Sequence, residues 1–241
     1  MKENNLKELI KFRYEKHDKI KKSGYSTYAY NFNKSHSIYE LINNSDKYSN
    51  EKVLTAGRIV SFRKMGKASF VHIQGERSKI QLYLKNDLLP INIYDDIVRN
   101  LDLGDIIGCS GCLFTTKMGE LSIKVDELCL LSKSLRPLPN LKEKDGESFN
   151  AFEDKELRYR NRQLDLIVNP EVKNIFIKRA QIISLIRRFL DDNKYLEVET
   201  PILQPVYGGA SARPFVTYHN TLDQNLYLRI ADELYLKRLI I

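Results

Sequence analysis

Cysteine is scarce in this sequence, which contains three among 241 residues. An odd number of cysteines in a chain without a secretory signal argues against a disulfide framework. Cys109 and Cys112 form a C-x-x-C, but a structural zinc site needs four ligands, and no second pair or nearby histidine supplies them. Both cysteines also lie in a strand-like stretch, where side chains three positions apart point to opposite faces. We therefore expect structural thiols and no metal site.

A long apolar run is also absent. No stretch approaches the roughly 18 apolar residues that a membrane-spanning helix needs. The first residues, MKENNLKELIKFRYEK, mix acids with lysines, so they have neither the apolar core of a signal peptide nor the acid-poor character of a transit peptide. The sequence therefore predicts a cytoplasmic protein without a membrane partner.

The composition shows enough apolar residues for a core and an excess of positive charge. Hydrophobic residues make up 42% of the chain, and 39 lysines and arginines against 31 acids give a net charge of +8. The length is sufficient for two domains at about 100–200 residues each. A positive excess favours a polyanion partner such as nucleic acid, because neutralising phosphates releases counterions, although many basic proteins bind none.

Residues 1–23 have the pattern of a basic amphipathic helix that Gly24 ends. Leu6, Leu9 and Ile10 form an apolar stripe among lysines. Two interpretations stay open. The helix is either solvated and docked by this stripe, or it contacts a nucleic-acid backbone.

A β-strand pattern follows, in a domain that we assign to residues 24–134. Five stretches are strand-like, mostly alternating apolar and polar residues and separated by glycines or charged turns, at 52–62, 68–74, 79–84, 105–114 and 120–131. Residues 89–101 are long enough for a helix between the third and fourth strands. This order is typical of an OB-fold, a barrel that binds oligonucleotides, although a generic small barrel would give similar periodicity.

The rest of the sequence predicts a linker and a second domain. Residues 135–152 contain prolines, a glycine and interspersed charges, which are typical of a linker. In the domain at 153–241, Asn169-Pro170 is a helix-start pattern, and apolar residues then recur at helical spacing to about Asp192. A strand, YLEVET, should follow and end at Pro201, which cannot donate to a ladder.

Three stretches of the β region, VLTAGRIVSFRKMGKASFVHIQ, KIQLYL and TKMGELSI, resemble the anticodon-binding barrel of lysine-specific class II aminoacyl-tRNA synthetases. In that family a phenylalanine stacks on the central anticodon base, while glutamine and glutamate side chains read its edge. The resemblance gives these roles to Phe70, Gln81 and Glu120, with Arg63 as a further contact. The chemistry is suitable, because unpaired bases stack on aromatic faces and expose hydrogen-bonding edges. Without the resemblance, Phe70 would be a core aromatic and the others surface residues.

Residues 170–193 and the strand to Pro201 resemble motif 1 of the same class, which builds its dimer interface. The resemblance implies a homodimer through Asn169 to Pro201, whereas the segment alone is an ordinary amphipathic helix leading into a strand. One departure is Lys194, where relatives usually carry glycine. Asn193 could adopt the left-handed turn instead.

The segment GGASARPFVTYHN, residues 208–220, is similar to the loop that covers bound lysine in the lysine-specific enzymes. The resemblance implies that the Gly209 backbone contacts the α-amino group of lysine, which needs close main-chain approach. It also implies that Glu233 pairs with that ammonium through a charge-assisted hydrogen bond. By themselves, the two glycines would form a plain turn and Glu233 would lie on a solvated helix face. Asp232 and Tyr207 stand where relatives have proline.

The residues that would bind ATP are missing under this resemblance. Class II enzymes use an F-R-x-E motif after motif 1 and a glycine-rich motif, whose charges stabilise the transition state. The F-R-x-E of this sequence, Phe12 to Glu15, precedes motif 1, and its glycines form no G-x-G-x-G. ATP and magnesium are therefore expected as cofactors of the complete enzyme, bound by no residue of this chain, and catalytic residues are expected beyond Ile241.

The resemblance as a whole implies an α+β protein. An N-terminal OB-fold barrel would be followed by the incomplete beginning of a class II antiparallel-sheet catalytic domain. The complete enzyme would activate lysine with ATP and transfer it to tRNA-Lys, and this chain alone would be inactive. Two alternatives stay open: a non-catalytic remnant that binds the tRNA anticodon, and a relative of the aspartyl- or asparaginyl-tRNA synthetases, which share the barrel.

Overall fold

A computed structural model describes residues 2–49, 51–76, 78–139, 141–144, 147–150 and 152–240. Residue 1 of the predicted N-terminal helix, residues 140, 145, 146 and 151 of the predicted linker, and residue 241 lie outside these ranges. The chain divides into two compact units, residues 1–169 and 170–241. The domain boundaries that the sequence suggests stay predictions.

The first unit contains a barrel, the long helix α1 and several short helices. Its helices are α1 (Lys2–Lys22), α2 (Ile38–Asn43), α3 (Ile93–Asp96), α4 (Lys155–Arg160) and α5 (Arg162–Val168), with a 3-10 helix at Val98–Asn100. Its strands are β1 (Lys52–Met65), β2 (Ala68–Gln74), β3 (Lys79–Lys85), β4 (Ile106–Thr115), β5 (Leu121–Ser132), β6 (Leu141–Lys144) and β7 (Glu147–Asn150). Strands β6 and β7 form a separate two-stranded sheet inside the predicted linker.

Strands β1 to β5 close into a barrel in the order β1-β2-β3-β5-β4. Neighbouring strands are antiparallel except β3 and β5, which are parallel and pair over a short stretch. Each predicted strand matches an observed one within a few residues at its ends. This order confirms the predicted OB-fold barrel.

Alternation along the strands separates the barrel core from its outer face. In β2, Ser69, Val71 and Ile73 are fully buried, whereas Phe70 and His72 between them are only half-buried. In β4, Cys109 is buried and Cys112 is exposed, so the two thiols lie on opposite faces as the strand pattern predicts. Burial raises the pKa of the Cys109 thiol to about 12, so that thiol stays protonated.

The helix predicted at residues 89–101 is shorter than expected. It begins at Ile93 and is followed by the separate 3-10 helix at Val98–Asn100. Asn92, directly before α3, has a left-handed backbone with φ 70°. A left-handed residue cannot belong to a right-handed helix, so the helix cannot extend back towards Pro90.

Helix α1 forms as predicted, but its apolar stripe does not dock it. Leu6 is 44% exposed and Leu9 is 52% exposed, whereas Arg13 and Ile20 are buried. The Arg13 guanidinium donates to the Ser134 carbonyl oxygen at 2.7 Å and to the Leu103 carbonyl oxygen at 3.0 Å. Docking through Leu6 and Leu9 is therefore not observed, because α1 is held further along the same face, where Arg13 bonds the Ser134 and Leu103 carbonyl groups and Ile20 packs in the core.

The second unit contains a long helix and a small sheet. Its elements are α6 (Pro170–Asp192), β8 (Leu203–Gln204), β9 (Val216–His219), β10 (Gln224–Leu228) and α7 (Glu233–Leu239). The sheet is antiparallel in the order β8-β10-β9. Helix α6 begins at Pro170 and ends at Asp192, as the Asn-Pro start and the apolar spacing predict. Among the described helices of both units, none has the length and apolar character needed to cross a membrane.

The strand predicted for YLEVET is wrong. Residues 195–200 have no strand assignment, and the first strand after α6 is β8, beyond Pro201. A strand requires a neighbour that accepts and donates its backbone hydrogen bonds. In the described part of this chain, no strand is paired with residues 195–200.

Helix α6 ends in a Schellman motif built on Lys194. Lys194 has a left-handed backbone with φ 64°, its N–H donates to the Asp191 carbonyl, and the Tyr195 N–H donates to the Leu190 carbonyl. The expectation that Asn193 takes the left-handed turn is wrong. Asn193 uses its side-chain amide on the Phe189 carbonyl instead, at 2.7 Å.

Candidate nucleic-acid interface and amino-acid site

An aromatic row crosses the outer face of the barrel. Phe70 on β2 lies directly opposite Arg63 on β1 and Tyr83 on β3 in the strand register. The ring centroids of Phe70 and Tyr83 are 5.2 Å apart, and those of Tyr83 and Phe114 are 6.0 Å apart. The three rings are half-buried and Arg63 is exposed. This row offers π faces next to a permanent positive charge.

A chain of hydrogen bonds runs beside the aromatic row. The Gln81 amide Nε2 donates to Glu120 Oε2 at 2.6 Å, and the Ser122 hydroxyl donates to Gln81 Oε1 at 2.9 Å. At the other oxygen of the same carboxylate, His72 Nε2 lies 2.7 Å from Glu120 Oε1. Both ends of the Gln81 amide are thus satisfied, and Gln81 as a whole residue is 8% exposed. The orientation of this amide is consequently set before any ligand binds.

The four residues predicted to read an anticodon therefore lie together on one face. Arg63 and Phe70 are cross-strand neighbours, while Gln81 and Glu120 are hydrogen-bonded to each other. The sequence interpretation missed their companions on the same face, namely His72, Tyr83, Phe114 and Ser122. A period-2 signal could have found three of these, because His72 follows Phe70, Tyr83 follows Gln81 and Ser122 follows Glu120 by two residues.

This face has the parts that unpaired nucleic acid requires. Bases stack on exposed aromatic rings, and their edges meet fixed donors and acceptors. Gln81 Nε2 has a second hydrogen, and the Glu120 carboxylate has further lone pairs beyond its two bonds. Exposed Lys124, which lies opposite Tyr83 in the register, adds positive charge for phosphates.

In the second unit, Gly209 and Glu233 also lie against each other. Gly209 has φ +82°, and a Cβ added to it would lie 2.9 Å from Glu233 Cβ and 3.1 Å from Glu233 Oε2. Glycine is therefore required here both by the backbone conformation and by the close approach. The Glu233 carboxylate accepts a hydrogen bond from the Lys237 ammonium within α7. The predicted site thus brings main chain and an ammonium-binding carboxylate together.

Asp232, which stands where relatives have proline and directly precedes Glu233, contacts the side chains of Arg229 and Thr200. It forms an ion pair with Arg229 at 2.9 Å and accepts a hydrogen bond from the Thr200 hydroxyl. Arg229 also donates to the Thr200 carbonyl oxygen at 2.9 Å. These residues line a cleft of about 400 Å³ together with Glu197, Val198, Glu199, Ile202 and Leu236. Asp232, at the position where relatives have proline, therefore links Thr200, directly before Pro201, to the start of α7.

The described residues contain no group of three or more histidine, cysteine, aspartate or glutamate side chains arranged to hold a metal ion. In the second unit, Asp232 pairs with Arg229 and Glu233 pairs with Lys237.

Two protein families match this chain. The OB-fold nucleic acid binding domain matches residues 53–131, and the tRNA synthetases class II (D, K and N) match residues 154–241. A lysine–tRNA ligase of Carboxydothermus hydrogenoformans is 47% identical over all of this chain and 48% of its own length. Residues 53–131 therefore carry an OB-fold domain, and residues 154–241 carry a domain of the class II tRNA synthetase family.

Further class II relatives agree with this membership. Lysine–tRNA ligases of Pelotomaculum thermopropionicum and Moorella thermoacetica are each 47% identical, over 99% and 97% of this chain and 46% of their own lengths. The chain thus spans about half the length of the curated relatives it matches. The sequence-based recognition of a class II synthetase with an anticodon-type barrel is confirmed, and the α+β architecture with it.

Proposed function

We propose that this chain carries the anticodon-binding barrel and part of the lysine site of a lysine–tRNA ligase. The identity of 47% along the whole chain to proteins named lysine–tRNA ligase carries this proposal. It also favours lysine over aspartate and asparagine, which the matched family covers as well. In the complete enzyme, ATP and magnesium would activate lysine, which would then be transferred to tRNA-Lys.

The barrel face supports the anticodon half of the proposal. Phe70 would stack on the central base of the anticodon, Gln81 and Glu120 would contact the base edge, and Arg63 would bind a neighbouring phosphate or base. Their adjacency on one outer face is the geometry that this role needs. In the second unit, the Gly209 backbone and the Glu233 carboxylate would hold the α-ammonium of lysine, in the way that Glu233 holds the ammonium of Lys237.

A homodimer through Asn169 to Pro201 belongs to the same proposal. The apolar stripe of α6 is exposed in the chain, at Ile175, Phe176, Ile182, Ile183, Ile186, Phe189 and Leu190. A contiguous exposed apolar surface of this kind is typical of a protein–protein interface.

Phe70→Ala tests the anticodon role. We expect the dissociation constant for an RNA hairpin with the anticodon loop of tRNA-Lys to rise about 5- to 150-fold, because stacking on one aromatic side chain contributes about 1–3 kcal/mol per base. Binding would be measured by fluorescence anisotropy with labelled RNA. Phe70→Trp should retain binding, since an indole ring also stacks.

Tyr30→Ala is the matched control for this experiment, because Tyr30 is a fully exposed aromatic of the same unit that is not part of the aromatic row. It should leave the dissociation constant unchanged. Wild-type affinity of Phe70→Ala, with its circular dichroism spectrum unchanged, would overturn the anticodon proposal.

A second prediction concerns catalysis. The purified 241-residue chain should show no lysine-dependent ATP–pyrophosphate exchange, because no F-R-x-E follows motif 1 and no G-x-G-x-G supplies contacts to the phosphates. The lysine–tRNA ligase of Carboxydothermus hydrogenoformans, assayed in parallel, is the positive control. Exchange above the level seen without lysine would show that the chain itself binds ATP and activates lysine.

A further inference from the structure

Glu120 is more exposed than Gln81, its proposed partner in reading the base. It follows the turn between β4 and β5, and its side chain is 48% exposed. Its backbone is tied to Thr116, whose hydroxyl accepts from the Glu120 N–H at 3.1 Å. Fixing the backbone leaves the side-chain torsions free to rotate. The position of the carboxylate therefore depends on its hydrogen bonds.

Two side chains supply hydrogen bonds to this carboxylate, one to each oxygen. Gln81 donates to Oε2, and Ser122 holds the far end of the same Gln81 amide. His72 contacts Oε1 at 2.7 Å, and its side chain is 25% exposed. A carboxylate with one donor on each oxygen cannot rotate without losing one of them. Removing either donor would release it.

The hydrogen-bond chemistry also defines the His72 tautomer. An ionised carboxylate only accepts hydrogen bonds, so His72 Nε2 must carry the proton that it donates to Glu120 Oε1. The same face of β2 holds Phe70 two residues earlier, so the imidazole anchors the carboxylate next to the proposed stacking ring.

We propose that His72 is a positioning residue for base recognition. It holds the Glu120 carboxylate in the one orientation in which Glu120 and Gln81 together meet the edge of a base stacked on Phe70. This inference rests on the proposed function of the barrel. It gives His72 a share in selectivity among bases, without a contact between His72 and the base.

The selectivity follows from the edge chemistry of the bases. A fixed carboxylate accepts the N3–H of uracil, whereas cytosine presents a lone pair at N3 and would face the carboxylate with two acceptors. Lysine codons read AAA and AAG, so the central anticodon base is uracil. A carboxylate that rotates freely would move away from cytosine and lose this discrimination, while stacking on Phe70 would remain.

Two variants and two RNA hairpins test the proposal. The hairpins carry uracil or cytosine at the central anticodon position. Selectivity is the dissociation constant for the cytosine hairpin divided by that for the uracil hairpin. His72→Leu should lower this ratio about three- to tenfold, the usual effect of losing one positioning hydrogen bond. His72→Gln should restore most of it, because its amide can donate to Glu120 from a similar reach. Any unfolded fraction cancels from a ratio measured on the same variant.

A double-mutant cycle separates positioning from general destabilisation. Glu120→Gln should lower the ratio in the wild-type background but add little in the His72→Leu background, because the two changes then remove the same interaction. Additive effects, or an unchanged ratio in His72→Leu, would overturn the role of His72. If Phe70→Ala binds the uracil hairpin as tightly as the wild type, the anticodon proposal fails instead.

Discussion

Replacing Lys133 by methionine should destabilise the first unit by about 3–5 kcal/mol, the usual cost of removing one partner of a buried ion pair. The Lys133 side chain is fully buried, with Nζ 2.6 Å from Asp102 Oδ2 and 2.8 Å from Asp105 Oδ2. Methionine keeps much of the volume but removes the charge. The variant would leave Asp105, which is also fully buried, without its cation.

The pH dependence of this effect follows from the two aspartates. Burial acts to raise the pKa of Asp102, but hydrogen bonds from Lys133 and Lys16 outweigh it and lower the pKa. The stabilisation from Asp102 is therefore present above its unfolded pKa of about 3.9 and is lost as the pH falls through the lower folded value. Burial raises the pKa of Asp105 despite Lys133. Ionisation of Asp105 therefore lowers the free energy of unfolding as the pH rises above about 3.9. The decrease is larger when Lys133 is absent.

The measurement is urea unfolding by circular dichroism at several pH values. The difference in unfolding free energy between the wild type and Lys133→Met should increase from about pH 4 towards neutrality. Lys52→Met is the matched control, since Lys52 also pairs with two acids, Asp126 and Glu127, but on the exposed surface. The urea midpoint of Lys52→Met should stay close to the wild-type value. Equal midpoints for Lys133→Met and the wild type at pH 7 would contradict the prediction.

Gly111→Ala should be the second strongly destabilising change, at about 3 kcal/mol or more, the upper end of the cost of overpacking. A Cβ at this position would lie 2.1 Å from the Lys124 carbonyl oxygen and 2.8 Å from the Lys124 carbonyl carbon. These are backbone atoms of β5, held in the ladder with β4, and the register shifts between Ser110 and Gly111. The clash cannot be relieved by a rotamer change, so a strand would have to move.

Gly75→Ala is the appropriate comparison, because its added Cβ would meet the Ile38 side chain, at 3.2 Å from Cδ1. A flexible side chain can withdraw by a few tenths of an ångström, so this variant should unfold close to the wild-type midpoint. Thermal and urea unfolding of both variants would measure the difference. A Gly111→Ala protein as stable as Gly75→Ala would show that β4 and β5 separate easily at this point.

The strands of the barrel and the long helix of the second unit could be predicted because their signals are local. Alternation in a strand and 3.6-residue spacing in a helix depend on neighbours in sequence. The helix at 89–101 and the strand at YLEVET were predicted less well, for different physical reasons. The left-handed Asn92 limits the start of the helix, and among the described strands none lies beside residues 195–200.

The sequence by itself determined the alternating strands, the start and end of α6, and the motifs that resemble those of a class II synthetase, which contain Phe70, Gln81, Glu120, Gly209 and Glu233. The tertiary structure decided that Arg13, rather than the leucines, docks α1. It also decided that Lys133 is buried between two aspartates and that His72 holds Glu120. Each of these contacts joins residues distant in sequence. A charged side chain in a sequence shows nothing of its burial, and its partner is known only when the strands have paired.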